Sequence, residues 1–366
     1  MQISDFPYRR LIGAAALTCA AALIPAAALA APTSPASPAG ATVPAGFRPS
    51  SASFYAPTSG VVLGGIGCLP AKPCTARLVA TTDGGARWRL LNAPDAPVTV
   101  VMFASPQDGW LYGQTGQYGE RVGGLWATHD GGGHWRELSL GGGVIESMAA
   151  SAGIAYAVVS PPGGLTDELF ASPAGRNAWA RVGDFSVSTD TGSALAVSGR
   201  SAWFGGGTSL WATADGIHWH RYALRCPAGY SGNTGGLAGI AAASASHLWL
   251  VCVTTPGLGN QGKDLLLSVN GGRTTHLVET IPLGGEVAGF AAPPGRPEVI
   301  TLATEFTLDR SANGGETWTR DFVAPGGTSW SPLSYLSPNV GWAVAVQPGQ
   351  LLRTTDAGAT WHEVSF

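Results

Sequence analysis

From about residue 47 onward, short apolar, β-prone runs alternate with glycine-rich polar turns. One unit shows the pattern well. Val98–Ala104, Gly109–Gly113, Gly124–His129 and Trp135–Leu140 read as four consecutive strands, A to D. The B strand recurs as Gly60–Gly64, Ile154–Val158, Ala202–Gly205, Leu248–Cys252, Glu298–Leu302 and Gly341–Ala345. The first unit starts with its own A strand near Phe47, and the last ends on its D strand at Trp361–Phe366.

Between strands C and D stands a repeated turn, Ser/Thr-x-Asp-x-Gly-x-x-Trp. It is complete at Thr81, Asp83, Gly85 and Trp88, at Thr128, Asp130, Gly132 and Trp135, and at Thr354, Asp356, Gly358 and Trp361. Ser311, Asn313, Gly315 and Trp318 repeat it with an amide in place of the acid, while Asp215 and Trp219 belong to a copy one residue short. Ser268–Thr275 and Ser172–Trp179 are decayed copies. The copies begin at 81, 128, 172, 213, 268, 311 and 354, a near-constant period that marks a repeat architecture. An Asp or Asn side chain accepts hydrogen bonds from its own turn's amides. Glycine supplies positive φ, and the indole buries a large apolar face. A reactive group has no reason to recur around a ring, so these acids are read as structural.

This pattern resembles the Asp-box, or BNR, repeat of sialidases, sortilin-type receptors, xyloglucanases and photosystem II assembly-factor propellers. The resemblance implies an all-β fold: a single seven-bladed β-propeller over 47–366, four antiparallel strands per blade, with Asp-box turns between strands C and D. Tryptophans in register, such as Trp110, Trp203, Trp249 and Trp342 opening B strands and Trp126 and Trp211 on C strands, suit the packing of stacked blades. With both termini in complete units, ring closure is expected to rest on packing of blade 1 against blade 7.

Residues 1–30 read as a signal peptide: Arg9 and Arg10, an apolar core over Leu11–Leu23, and a small-x-small site ending at Ala30. Twin-arginine export and a lipoprotein signal at Cys19 both fit the flanking residues poorly. Residues 31–46, rich in Pro, Ala and Ser, read as a disordered leader. The chain is thus expected to be secreted, without an integral membrane segment after cleavage. The net charge is −3, and loss of Asp5, Arg9 and Arg10 leaves the mature chain one unit more negative. With no basic block, nucleic acid and anionic membrane are poor partners. Beyond Cys19, the four cysteines Cys68, Cys74, Cys226 and Cys252 suit an oxidising compartment and allow three pairings. Cys68–Cys74 with Cys226–Cys252 is the favoured one, and a zinc site is the alternative.

With this strand order, D–A connections and B–C loops share one face, where the resemblance places binding sites. The longer loops there hold Tyr118, Glu120, Arg121, Asp167, Glu168, Tyr230, Asn233 and Lys263, the candidate ligand face. A sialidase-type site would need three clustered arginines, a tyrosine nucleophile and six blades. Phe47-Arg48-Pro49 echoes that family's start but equally opens a first strand. A two-carboxylate glycosidase would draw on Glu120, Asp167 or Glu168. The His218/His220 pair suits a metal by spacing but has no neighbouring carboxylate in that register. The expectation is a monomeric, non-catalytic propeller that binds an extracellular protein or glycan, with no cofactor. An extracellular glycoside hydrolase is the alternative.

Overall fold

The computed structural model describes residues 43–366 apart from 67–74, 116–121, 164–165, 184–192, 227–235, 255–256, 258, 325–326, 328 and 332. The expected signal peptide, the leader up to residue 42, and the Cys68–Cys74 pair lie outside the described residues.

Seven four-stranded antiparallel sheets follow one another along the chain. Blade 1 holds β1 (Arg48–Ala56), β2 (Ser59–Ile66), β3 (Thr75–Thr81) and β4 (Arg89–Leu91). Blade 2 holds β5 (Val100–Phe103), β6 (Gly109–Thr115), β7 (Val122–Thr128) and β8 (Arg136–Leu138). Blade 3 holds β9 (Val144–Ser151), β10 (Ile154–Ser160), β11 (Glu168–Pro173) and β12 (Ala180–Gly183). Blade 4 holds β13 (Ser193–Ser198), β14 (Ser201–Gly206), β15 (Ser209–Thr213) and β16 (Trp219–Ala223). Blade 5 holds β17 (Gly236–Ala242), β18 (Leu248–Val253), β19 (Lys263–Ser268) and β20 (His276–Thr280). Blade 6 holds β21 (Val287–Ala291), β22 (Ile300–Thr304), β23 (Thr307–Ser311) and β24 (Thr319–Val323). Blade 7 holds β25 (Ser334–Tyr335), β26 (Gly341–Ala345), β27 (Gln350–Thr354) and β28 (His362–Val364). Its short first strand is extended by a bridge from Trp330 to Ala345.

Neighbouring blades meet mainly through their first strands, as β1 meets β5 and β13 meets β17. The first strands therefore surround the axis. Second strands are the most buried, as in β14, β18, β22 and β26, where every residue is buried. Fourth strands form the outer rim and are largely exposed, as in β20 and β24. Each clustered core belongs to a pair of adjacent blades rather than to one, as where Trp203 and Leu210 of blade 4 pack with Leu248, Leu250 and Leu266 of blade 5. This is how some 320 residues avoid needing one oversized core.

The repeated turns share one hydrogen-bond scheme. Thr81 Oγ1 accepts from the amides of Asp83 at 3.3 Å and Gly85 at 3.0 Å, and donates to Asp83 Oδ1 at 2.9 Å. That carboxylate oxygen accepts from the Arg87 amide at 2.9 Å. Thr128 with Asp130 and Thr354 with Asp356 repeat the scheme. Ser311 with Asn313 and Ser268 with Asn270 repeat it with an amide oxygen as acceptor. The shortened copy keeps the hub at Thr213 and closes on Gly216 at 2.9 Å. In the decayed copy Ser172 Oγ donates to Arg176 O at 2.6 Å and accepts from the Ala178 amide. The hydroxyl at the first position is the centre of each turn, a role the sequence reading gave only to the acid.

In four of the turns, at Gly85, Gly132, Gly272 and Gly315, the second glycine lies against the preceding blade. A Cβ on Gly315 would stand 2.2 Å from Leu265 Cδ2 of blade 5, and one on Gly85 would stand 2.4 Å from Val364 Cγ1 of blade 7. The turn's indole crosses the same joint. Trp135 Nε1 donates to Asn92 O of blade 1 at 3.0 Å, and Trp219 meets Tyr156 of blade 3 edge to face, 5.9 Å between centroids.

Blades 1 and 7 close the ring by packing, as expected, and share no strand. Phe54, Val62 and Val79 form one core with Trp342, Val344 and Leu351. Trp88 Nε1 donates to Ser365 O at 2.9 Å, and the Phe366 ring sits 4.8 Å from both Phe47 and Trp88.

Candidate functional site

Antiparallel order puts the starts of first and third strands and the ends of second strands at the same edge of every blade. At that edge, across blades 7, 1 and 2, lies a cleft of about 780 Å³. Arg48 and Ser50 of β1, Gly65 of β2 and Ala76 of β3 form one wall. Thr99 and Val100 of blade 2 form another, and Trp330, Gln347 and Pro348 of blade 7 complete it. The lining is mostly apolar, the balance usual for a ligand pocket of this size.

Arg48 is exposed and is the sole charged side chain among the described residues lining the cleft. Its position follows from local sequence: Pro49 is buried behind it, and Gly349 lets the Arg48 stem lie close, with a hypothetical Cβ only 3.2 Å from Arg48 Cβ. Trp330 is 7% exposed and donates Nε1 to Thr304 O at 2.6 Å, which fixes its ring at the joint of blades 6 and 7. Ser50 Oγ donates to Leu63 O at 3.3 Å. The cleft occupies the D–A and B–C face, where the strand order places loops for recognition. Its residues are not those singled out there from the sequence. One signal was available: Trp330 is the tryptophan that fits neither the repeated turns nor the B and C strands.

Of the eight candidate ligand-face residues, Tyr118, Glu120, Arg121, Tyr230 and Asn233 lie outside the described residues. Glu168, at the start of β11, pairs with Arg181 Nη2 at 2.9 Å. Asp167 is buried and accepts from Ser160 Oγ at 2.5 Å across the hairpin that joins β10 to β11. Lys263 is 1% exposed, so its ammonium faces the protein interior. Neither Asp167 nor Lys263 presents a charge to solvent. The reason is that Asp167 stands just before a third strand and Lys263 opens one, where a polar side chain folds back to satisfy its hairpin.

The repeated acids do not converge. Each serves its own turn on the opposite face, and two pair locally with histidine. His134 Nδ1 lies 2.6 Å from Asp130 Oδ2, and His218 Nδ1 lies 2.7 Å from Asp215 Oδ2. His218 thus has a carboxylate that strand spacing alone did not reveal. His220 points instead toward Tyr222, 6.5 Å between centroids. Among the described residues no three His, Cys, Asp or Glu side chains gather as metal ligands would. Partial burial disfavours ionisation of Asp130, but the His134 amide and imidazole and the Thr128 hydroxyl outweigh it, holding the carboxyl down at about 2. Asp321, on β24, goes the other way: burial pushes it up to about 6, despite Thr319 and Arg310.

Cys226 and Cys252 are disulfide-bonded with 5.5 Å between Cα atoms. The bond ties the segment after β16 to the end of β18, at the joint of blades 4 and 5.

No protein-family model and no curated protein matches the chain. Solved structures do. YCF48 bound to a D1 peptide aligns with a TM-score of 0.53 at 17% identity, over 89% of this chain and 96% of that one. A PL25 ulvan lyase bound to a GlcA–Rha3S saccharide aligns at 0.54 with 10% identity, over 87% of this chain and 95% of that one. A prolyl endopeptidase aligns at 0.53 with 12% identity, over 87% of this chain and 49% of that one. These proteins are named for unlike tasks, so the likeness speaks to architecture and leaves the task to the site. The chain is similar to these proteins in being an all-β propeller, here with seven blades of four antiparallel strands.

Proposed function

We propose that this is a secreted, non-catalytic propeller of the Asp-box class that binds a protein or glycan ligand on its D–A and B–C face, centred on the cleft across blades 7, 1 and 2. The observation that carries the reading is the cleft itself: about 780 Å³, mostly apolar in its lining, with one exposed guanidinium and the amide and hydroxyls of Gln347, Ser50 and Thr99 around it. Such a surface orients a ligand through a few polar contacts and gains its affinity from apolar burial. Two-carboxylate glycoside hydrolysis needs a pair of acids flanking the scissile bond. The described residues lining this cleft supply none. Tyr118, Glu120, Arg121, Tyr230 and Asn233 are proposed to contribute to ligand selectivity.

The experiment is a glycan array and a peptide array probed with the mature chain, beside the Arg48→Ala and Gln347→Ala variants. Expected is binding to one ligand class that Arg48→Ala weakens about tenfold or more with an unchanged melting temperature, the size of a lost charge-assisted hydrogen bond. Turnover of a fluorogenic glycoside panel by the wild-type chain, abolished by Glu120→Gln or Glu168→Gln, would replace this reading with the hydrolase.

A further inference from the structure

Lys263 is a buried cation that the cleft does not use. It opens β19 and lies 1% exposed, on the ligand face between blades 5 and 6. Its Nζ donates to the carbonyl oxygens of Gln261 at 2.9 Å, Leu283 at 2.8 Å and Gly285 at 2.6 Å. An ammonium has three N–H bonds, and all three are used.

The backbone closes around this point. Lys263 O accepts from the Ile281 amide at 2.8 Å, and Gln261 Oε1 accepts from the Val287 amide at 3.0 Å. Thr254 Oγ1 accepts from the Gly262 amide at 2.9 Å, and Gly262 O accepts from the Thr254 amide at 3.0 Å. Thr254 and the stretch from Gln261 to Lys263 are thereby stapled, the latter also to the connection from Ile281 to Val287. Burial pulls the Lys263 ammonium below its ordinary pKa, and the Asp309 and Glu286 carboxylates oppose that. Asp309, itself buried, accepts from Thr307 Oγ1 and from Arg320 Nε at 3.3 Å. The ammonium touches three neutral oxygens, with the compensating negative charge one layer further out. Backbone carbonyls converging on a point replace the hydration shell of a weakly hydrated monovalent cation.

We propose that Lys263 is a built-in cation. Its ammonium fills a carbonyl cradle that, once the side chain is shortened, takes K⁺, NH₄⁺ or an alkylammonium, and the charge there sets the geometry of the blade 5 sector of the ligand face. Lys263 is a positioning residue in this scheme, and the proposal stands whether or not the cleft binds a ligand.

The test is thermal unfolding of Lys263→Ala in choline, sodium, potassium, ammonium and propylammonium chlorides at equal ionic strength. Propylammonium restores the atoms the substitution removes. Wild type and Lys263→Met, in which an unbranched apolar chain fills the cradle, serve as controls. Lys263→Ala is expected to melt at least about 5 °C below wild type in choline chloride, three buried acceptors having lost their donor. At least half of that loss returns, saturably, in potassium, ammonium or propylammonium chloride, while both controls respond alike to every salt. Equal melting of Lys263→Ala in all five salts overturns the proposal, as does an equal gain in Lys263→Met. Should Lys263→Ala fail to fold in every salt, the wild-type chain decides. Its Lys263 ammonium protons are then expected to exchange with water at least about tenfold more slowly than those of free lysine. Exchange at the free rate rejects the cradle.

Discussion

The Phe54 ring and the Trp342 indole lie parallel, 6° apart in plane with 3.6 Å between centroids, and they belong to the first and last blades. Trp342 is 1% exposed, and the Arg353 guanidinium carbon lies over its ring, 5.3 Å from the ring centre. Trp342→Ala is therefore expected to cost about 3–5 kcal/mol, the range for a buried aromatic removed from a closed core. A double-mutant cycle with Phe54→Leu should show coupling of about 0.5–1.5 kcal/mol. Denaturant unfolding measures both, and additive effects would mean that the stack does not hold the seam.

Glycine substitutions separate backbone strain from crowding. Gly153 has φ +79° with nothing within 4 Å of where a Cβ would stand, whereas Gly85 has φ +93° with Val364 at 2.4 Å. Gly153→Ala is expected to cost about 1–2 kcal/mol, from left-handed strain alone. Gly85→Ala adds overpacking of about 1–3 kcal/mol and pushes directly on the last strand. Calorimetry of the two variants side by side should rank Gly85→Ala clearly below Gly153→Ala.

Acidity acts on the fold through two opposed sets of carboxyls. Asp83, Asp130, Asp215 and Asp356 are all held below the ordinary aspartate value by their turns. Their stabilisation is complete above the unfolded-state value of about 4 and is lost as pH falls from there toward 2. Asp321, at about 6, reverses the sign. Between about pH 4 and 6 the unfolded chain has released a proton that the folded chain retains, so its contribution falls as pH rises. Asp321→Asn should melt above wild type at pH 7, and the gap should narrow on acidification to about pH 4. A gap that is constant with pH would count against the assignment.

The Cys226–Cys252 bond closes a segment with a sequence separation of 26. Replacing both cysteines with serine is expected to cost roughly 3 kcal/mol on loop-closure grounds, and a further penalty follows because Cys252 is 2% exposed within an apolar core. Cys226→Ala/Cys252→Val should recover that second part. Urea titration of the two double variants distinguishes the contributions.

The blade count, the strand order and the seam were legible in the sequence because each rests on chemistry that recurs: a hydroxyl, an acid or amide and an indole at fixed offsets. Repetition lets weak copies such as Ser268–Thr275 be read through strong ones. The cleft was not legible in the same way. It joins residues near 48, 99, 330 and 347, which no motif links and only closure of the ring brings together. Lys263 illustrates the limit from the other side. A lysine beside a long glycine-containing loop reads as an exposed ligand contact, and nothing local announces that three carbonyls from two segments surround it.

At six joints of the ring the polypeptide itself crosses from one blade to the next; between the seventh and the first it does not. Among the described residues, that boundary is held by side-chain packing and by hydrogen bonds such as the one from Trp88 to Ser365. Tension applied to the two ends would thus bear on that noncovalent boundary between blades 1 and 7. A covalent tether from the segment before Phe47 to Phe366, with a new break between two other blades, would move that boundary around the circle without altering a single sheet.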